Sequence, residues 1–163
     1  MRHIELEILK ILEQDARMTP EQIATMLNLS QDEVKKTIAK LENEKIIRRY
    51  KTVVNWEKAG EEMVLALIEV RISPQRDFGF DAVAERIYRF PEARTVYLVS
   101  GTYDLLVQVA GRTMKDVANF VSEKLAPLEG VQGTVTHFLL KRYKEDGDIL
   151  ADVETAKRLP IAP

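Results

Sequence analysis

Apolar residues recur at helical spacing from the start of the chain. Ile4, Ile8, Leu9, Ile11 and Leu12 share one side of a predicted helix that ends near Asp15-Ala16-Arg17. Thr19-Pro20-Glu21-Gln22 opens a second, short helix. Thr19 is a good N-cap, Pro20 suits the first helical position, and Gln22 completes a capping box. Its buried side carries Ile23, Ala24, Met26 and Leu27. After Asn28-Leu29, a second capping box, Ser30-Gln31-Asp32-Glu33, starts a third helix. Val34, Ile38 and Leu41 form its single apolar stripe, and Lys35, Lys36 and Lys40 project elsewhere. Two short helices joined by a tight turn fit a helix-turn-helix or an ordinary αα-hairpin. The run Ile46 to Val54, rich in β-formers and basic residues, favours the first, because a winged variant places its two-stranded wing there.

Asn55 to Glu62 reads as a linker, and beyond it the periodicity changes. Met63 to Ile72 reads as a strand and Asp77 to Phe90 as a helix with Phe80, Val83, Ala84 and Ile87 inward. Thr95 to Ser100 and Tyr103 to Ala110 are strands joined through Gly101-Thr102, expected to be a two-residue hairpin turn. Thr113-Met114-Lys115-Asp116 caps a further helix, with Val117, Phe120, Val121 and Leu125 facing in, and Val131 to Leu140 is a last strand. The expected class is α+β: a winged helix-turn-helix over 1–54, a linker over 55–62, a ferredoxin-like βαββαβ domain over 63–143 and a tail over 144–163. In the tail, Ile149 to Leu159 is expected to form a short docked helix. A βαββαβ sheet has one face without helices. Apolar side chains there mark an interface, so self-association is expected.

Composition removes several kinds of chemistry. The 163 residues include no cysteine, which excludes disulfides, thiol nucleophiles and cysteine-based metal sites. The acidic–apolar alternation of the first residues is unlike a signal peptide. The longest apolar run, Met63 to Ile68, is far short of the ~20 residues of a membrane span. A cytoplasmic protein is expected. The net charge of −2 argues against nucleic acid until its distribution is considered. Lys35, Lys36, Lys40, Lys45, Arg48, Arg49 and Lys51 are offset within their stretch only by Glu42 and Glu44. Such a stripe suits phosphates as well as it suits a solvated helix face. No Ser/His/Asp constellation, phosphate-cradling Gly loop or metal-ligand cluster stands out, so no enzymatic activity and no cofactor are expected.

In this order the parts resemble the Lrp/AsnC (feast/famine) family of prokaryotic transcription regulators, over about Ile4 to Lys141. In the first domain the resemblance is carried by Ile8-Leu9, Asp15-Ala16-Arg17, Ile23-Ala24, Leu29-Ser30, Val34, Ile38, Leu41-Glu42 and Ile47. In the second it is carried by Gly101-Thr102-Tyr103-Asp104, Gly130-Val131, Thr134 and Thr136. Thr37 stands where the family usually has an arginine, and Lys45 where it usually has a glycine.

The resemblance implies double-stranded DNA as partner, with Ser30 to Leu41 in the major groove. Gln31 has the chemistry to pair with adenine and Asp32 to accept from cytosine, whereas Lys35, Lys36 and Lys40 suit phosphates. Thr19, Ser30, Arg48, Arg49 and Lys51 complete the implied contact set. Asp32 has a second reading, in common with Glu33, as an acid stabilising a helix N-terminus. The resemblance also implies an amino acid or related effector between neighbouring C-terminal domains, at Ser100, Gly101, Tyr103, Asp104, Thr134 and Thr136. Alternatively, Gly101 only makes its turn and Asp104 caps it. Homodimers assembling into octamers are likewise implied. Two rivals share the architecture: an enzyme like the siroheme decarboxylases, and a metabolite-sensing oligomer that does not bind DNA. The first needs His and Arg around a tetrapyrrole, and the chain offers only His3 and His137.

Overall fold

The computed structural model describes residues 3–73 and 79–151. The chain divides into two compact units, Met1–Val54 and Asn55–Pro163.

The first unit holds α1 (His3–Gln14), α2 (Pro20–Leu27) and α3 (Gln31–Asn43). The α2 capping box forms in full: Gln22 N–H donates to Thr19 Oγ1 at 3.3 Å and Thr19 N–H to Gln22 Oε1 at 2.8 Å. The α3 box forms only in half, with Glu33 N–H donating to Ser30 Oγ at 3.2 Å. Between the two helices Asn28 adopts a left-handed φ of 54°, a conformation asparagine tolerates better than most residues. Its N–H and that of Leu29 both bond to Ala24 C=O, which closes the turn tightly enough for Ser30 to start α3 at once. Ile8 and Leu12, Ile23 and Ala24, and Val34 form one buried cluster, bordered by Ile38 and Ile47. Met26, expected inward, is exposed, because the short α2 buries only the side that carries Ile23 and Ala24.

The expected two-stranded wing does not form; among the described residues no strand lies between α3 and Val64. Ile46 to Val54 lacks the Gly, Asn or Asp pair that a tight hairpin turn requires, and a lone two-stranded ribbon is marginal in water. The segment is tied back to α3 instead. Ile46 and Ile47 N–H both donate to Leu41 C=O, at 2.9 and 3.1 Å, and Tyr50 Oη donates to Glu42 Oε1 at 2.9 Å.

The second unit contains β1 (Val64–Ile72), α4 (Phe80–Tyr88), β2 (Ala93–Leu98), β3 (Leu105–Gly111), α5 (Met114–Phe120) with a π-helical turn at Val121–Leu125, and β4 (Val131–Phe138). The sheet order β2-β3-β1-β4 is antiparallel throughout and gives the ferredoxin-like arrangement. Ala66, Ile68, Val70 and Ile72 point to one face. There they are buried with Leu105, Val107 and Val109 against Val83 and Ile87 of α4 and Val117 and Phe120 of α5. Gly130 enters β4 at a φ of 92°, and a Cβ there would stand 3.1 Å from Val83 Cγ2. Strand alternation puts Leu67, Glu69, Tyr97, Leu106, Val135 and His137 on the other face. On that face Tyr97 is 60 % and Val135 47 % exposed.

Two local expectations are corrected, at the β2–β3 connection and at the start of the tail, and the linker gains detail. The β2–β3 connection is not a two-residue turn. Leu98 pairs with Leu105 and Val99 N–H bonds to Asp104 C=O, leaving Ser100 to Tyr103 as the loop. The linker is hydrogen-bonded: Ala59 N–H donates to Asn55 C=O, Lys58 N–H to Asn55 Oδ1, and Glu61 N–H to Trp56 C=O. The start of the tail is a small hairpin of β5 (Lys144–Glu145) and β6 (Asp148–Ile149), so Ile149 does not begin a helix. Residues 152–159 of that expected helix lie outside the described residues, as do Asp77 and Phe78 of the expected α4 start.

Candidate nucleic-acid interface and effector region

With Val34, Ile38 and Leu41 turned inward, the α-helical period directs Asp32, Lys35, Lys36 and Ala39 outward from α3. All four are exposed. Thr19 and Ser30 sit at the N-caps of α2 and α3, their hydroxyls engaged by backbone amides. Gln31 lies on the flank toward α2, where its Nε2 donates to Glu21 Oε1. The Glu21 carboxyl is held below the usual carboxylate range, first by a backbone N–H, then by the Thr19 hydroxyl, with the Lys35 charge and Gln31 adding to the effect.

Lys40 occupies the opposite flank. Its Nζ lies 2.7 Å from Glu5 Oε1 of α1 and 3.8 Å from Glu44. Glu5 is only 7 % exposed, a buried acid. The pair forms part of the wall of a groove of about 460 Å³ between the start of α1 and α3. Lys40 is thus ion-paired to two acids of its own unit, and no ion pair within 4.0 Å is formed by Lys35 or Lys36 among the described residues. Arg48, Arg49 and Lys51 are exposed along the extended segment that follows α3. Tyr50, among them, is pushed up to about 12, first by burial and then by its bond to the Glu42 carboxylate.

The expected effector residues gather at one end of the sheet. Asp104 N–H donates to Val70 C=O at 3.0 Å, and Asp104 Oδ2 accepts from Ile72 N–H at 2.7 Å. This carboxylate therefore holds the end of β1, beside the register shift at Arg71/Ile72. Gly101 stands at a φ of 152° in the exposed loop, with Ser100 beside it, while Tyr103 is half-buried. Thr134 is opposite Val70, close to Asp104 in the ladder, whereas Thr136 sits two residues deeper, opposite Ile68. Both threonines share the helix-covered side of β4. His137 is on the uncovered side, its Nε2 3.0 Å from Glu69 Oε1.

Several partners escaped the sequence reading. Glu5 and Lys40 are 35 positions apart, and no local spacing links them. Glu21 was legible only as a first-turn acid. The β5–β6 hairpin, in contrast, carried its signal in Asp146-Gly147, a pair suited to a tight two-residue turn, with φ of 46° and 94°.

Two sequence models divide the chain between them. The one described as "Winged helix-turn-helix DNA-binding" matches residues 1–48. The one described as "Lrp/AsnC ligand binding domain" matches residues 65–149. The chain belongs to the Lrp/AsnC family. Lrp/AsnC proteins are DNA-binding transcription regulators, and this one is similar to the "Uncharacterized HTH-type transcriptional regulator YugG" of Bacillus subtilis, 49 % identical over 160 residues, covering 98 % of this chain and 96 % of that protein. A second relative, the "Uncharacterized HTH-type transcriptional regulator PH0140" of Pyrococcus horikoshii, is 31 % identical over 136 residues, 83 % of this chain and 84 % of its own. The crystal structure of the Neisseria meningitidis regulator NMB0573 in complex with L-Met superposes with a TM-score of 0.70 at 25 % identity, covering 89 % of this chain and 93 % of that one. The match to the Lrp/AsnC ligand-binding domain extends over the β5–β6 hairpin. No helix among the described residues is long and apolar enough to cross a membrane.

Proposed function

We propose that this Lrp/AsnC regulator is a cytoplasmic, sequence-specific reader of double-stranded DNA whose second unit senses an amino acid, and that it has no catalytic role. The observation that carries the DNA reading is the outward face of α3, where Asp32, Lys35 and Lys36 stand clear of the core beside a Gln31 held by Glu21. In that reading Gln31 and Asp32 contact base edges. Lys35, Lys36, Arg48, Arg49 and Lys51 contact phosphates, and the capped helix starts at Thr19 and Ser30 approach the backbone.

The effector reading draws on the sheet end where Ser100, Gly101, Tyr103, Asp104 and Thr134 converge, with Thr136 farther along the strand. It is supported by the L-Met complex of the Neisseria relative. The uncovered face, with Leu67, Leu106, Tyr97 and Val135, supports a homodimer built sheet to sheet and then closed into a higher assembly such as an octamer.

Selection of bound fragments from random DNA tests the specificity. One sequence class should emerge for the wild type, and Gln31→Ala should relax one position in each half-site by about 1–3 kcal/mol of discrimination. A selection that yields no preferred sequence would reject base readout by α3. Calorimetry with the proteinogenic amino acids on Ser100→Ala and Tyr103→Phe tests the effector region, where undiminished binding would place the effector elsewhere.

A further inference from the structure

The cavity formed within the second unit lies at the opposite end of the sheet from the Ser100–Asp104 loop. It measures about 420 Å³ and is walled by Trp56, Glu61, Glu62, Met63, Arg94 and Arg112. This volume falls in the range of small-molecule sites, ~300–1,000 Å³. Its lining combines three chemistries. Arg94 lies at the start of β2 and Arg112 directly follows β3, two neighbouring strands, and both line the cavity. Glu61 and Glu62 come from the stretch before β1, where Glu61 N–H bonds to Trp56 C=O at 3.1 Å and ties the backbone of the two lining stretches together. Met63 also lines the cavity, its Sδ 3.1 Å from Arg94 Nη2.

Two cations and two anions share this cavity, yet among the described residues none of the four is joined in an ion pair. Opposite charges that line one cavity without pairing, together with an indole and a thioether, form a bipolar receptor. A carboxylate fits the guanidinium side, an ammonium fits the Glu61–Glu62 side, and an apolar group fits against indole and thioether.

We propose that this cavity binds a free α-amino acid with an apolar side chain. The α-carboxylate pairs with Arg94 and Arg112, the α-ammonium with Glu61 or Glu62, and the side chain packs on Trp56 and Met63. The site is separate from the Ser100–Asp104 end and does not depend on an effector binding there. It lies beside the segment that directly follows Val54, so occupancy fixes Trp56 and the turn that leads out of the DNA-reading unit.

Trp56 is the only tryptophan in the chain, so its fluorescence in the intact protein reports on this cavity specifically. The probes are L-leucine, L-methionine and L-phenylalanine. The controls are 4-methylpentanoate and isopentylamine, which each keep one charge of leucine. The proposal predicts a saturable change in Trp56 emission with at least one of the three amino acids. It also predicts at least about tenfold weaker response to the single-charge controls. The response is lost in the double variant Arg94→Ala/Arg112→Ala and kept in Ser100→Ala/Tyr103→Phe, with far-ultraviolet dichroism and DNA binding confirming that each is folded. Emission that stays constant up to ~10 mM of all three probes overturns it. So does a response that survives the double arginine variant. Calorimetric binding with unchanged Trp56 emission also overturns this site, while leaving an effector at the loop end intact.

Discussion

Lys35 and Lys40 look interchangeable in the sequence, but the fold assigns them different tasks. Lys40→Ala removes the cation 2.7 Å from Glu5 and leaves that carboxylate buried without it. Removing one partner of a fully buried pair costs ~3–5 kcal/mol. Here the Glu5 side chain is 9 % exposed but that of Lys40 is 52 % exposed, so water screens part of the interaction and about 1–2 kcal/mol is expected. For a unit of this size each kcal/mol lowers the melting midpoint by ~4–8 °C. Lys35→Ala, on an exposed position, should leave the midpoint within error. DNA binding should show the reverse. The logarithm of affinity against the logarithm of salt falls by ~0.9 per phosphate contact, so Lys35→Ala should flatten the slope by about one and Lys40→Ala should leave it unchanged. Thermal denaturation of the intact protein and fluorescence anisotropy on one duplex supply both numbers. The double variant Glu5→Ala/Lys40→Ala closes the cycle, with Lys40→Ala costing little once Glu5 is gone. The reasoning is refuted if Lys40→Ala melts like the wild type while losing one unit of salt slope, because Lys40 would then be a phosphate ligand.

Other outcomes follow from single contacts. Tyr50 has its pKa raised to about 12 in the folded state, so its stabilising contribution is complete below pH ~10 and is lost as pH rises through about 12. Tyrosinate absorbance should show one late-titrating residue that disappears in Tyr50→Phe. Asp104→Ala deletes the acceptor for Ile72 N–H and should destabilise the second unit by ~1–3 kcal/mol in urea unfolding, with or without any effector. Gly130→Ala places a Cβ 3.1 Å from Val83 Cγ2 at a φ of 92° and should cost ~1–3 kcal/mol in the same assay. An unchanged midpoint would show that the β4 entry relaxes freely.

The features legible in the sequence were those set by local chemistry. Thr19, Ser30 and Thr113 name helix starts because a side-chain oxygen must satisfy free amides, and each accepts the bond expected of it. The alternation through Ile68 and Val70 puts a strand in the sheet centre because only that period buries one side of it. Features that depend on distant partners were less legible. Composition alone suggested a wing at Ile46 to Val54, but a ribbon needs a turn and a supporting surface, and Tyr50 and Ile47 bind that segment to α3. The short turn at Gly101 gave way to a longer loop because Asp104 is committed to Val70 and Ile72 across the sheet. The split between Lys40 and its neighbours depends on Glu5, 35 residues away. The Trp56 cavity draws on four separate stretches of chain, which no spacing rule connects.

The central claim is that the outward face of α3 binds DNA, and the salt dependence of binding tests it most directly. The measurement is anisotropy of a duplex selected by the wild type, from 50 to 200 mM salt, for wild type and Lys35→Ala/Lys36→Ala. The account predicts wild-type affinity that falls by ~10³–10⁵ for 6–10 phosphate contacts, and a slope reduced by about two in the double variant. No binding at low salt, or a slope that the two substitutions leave unchanged, would contradict it.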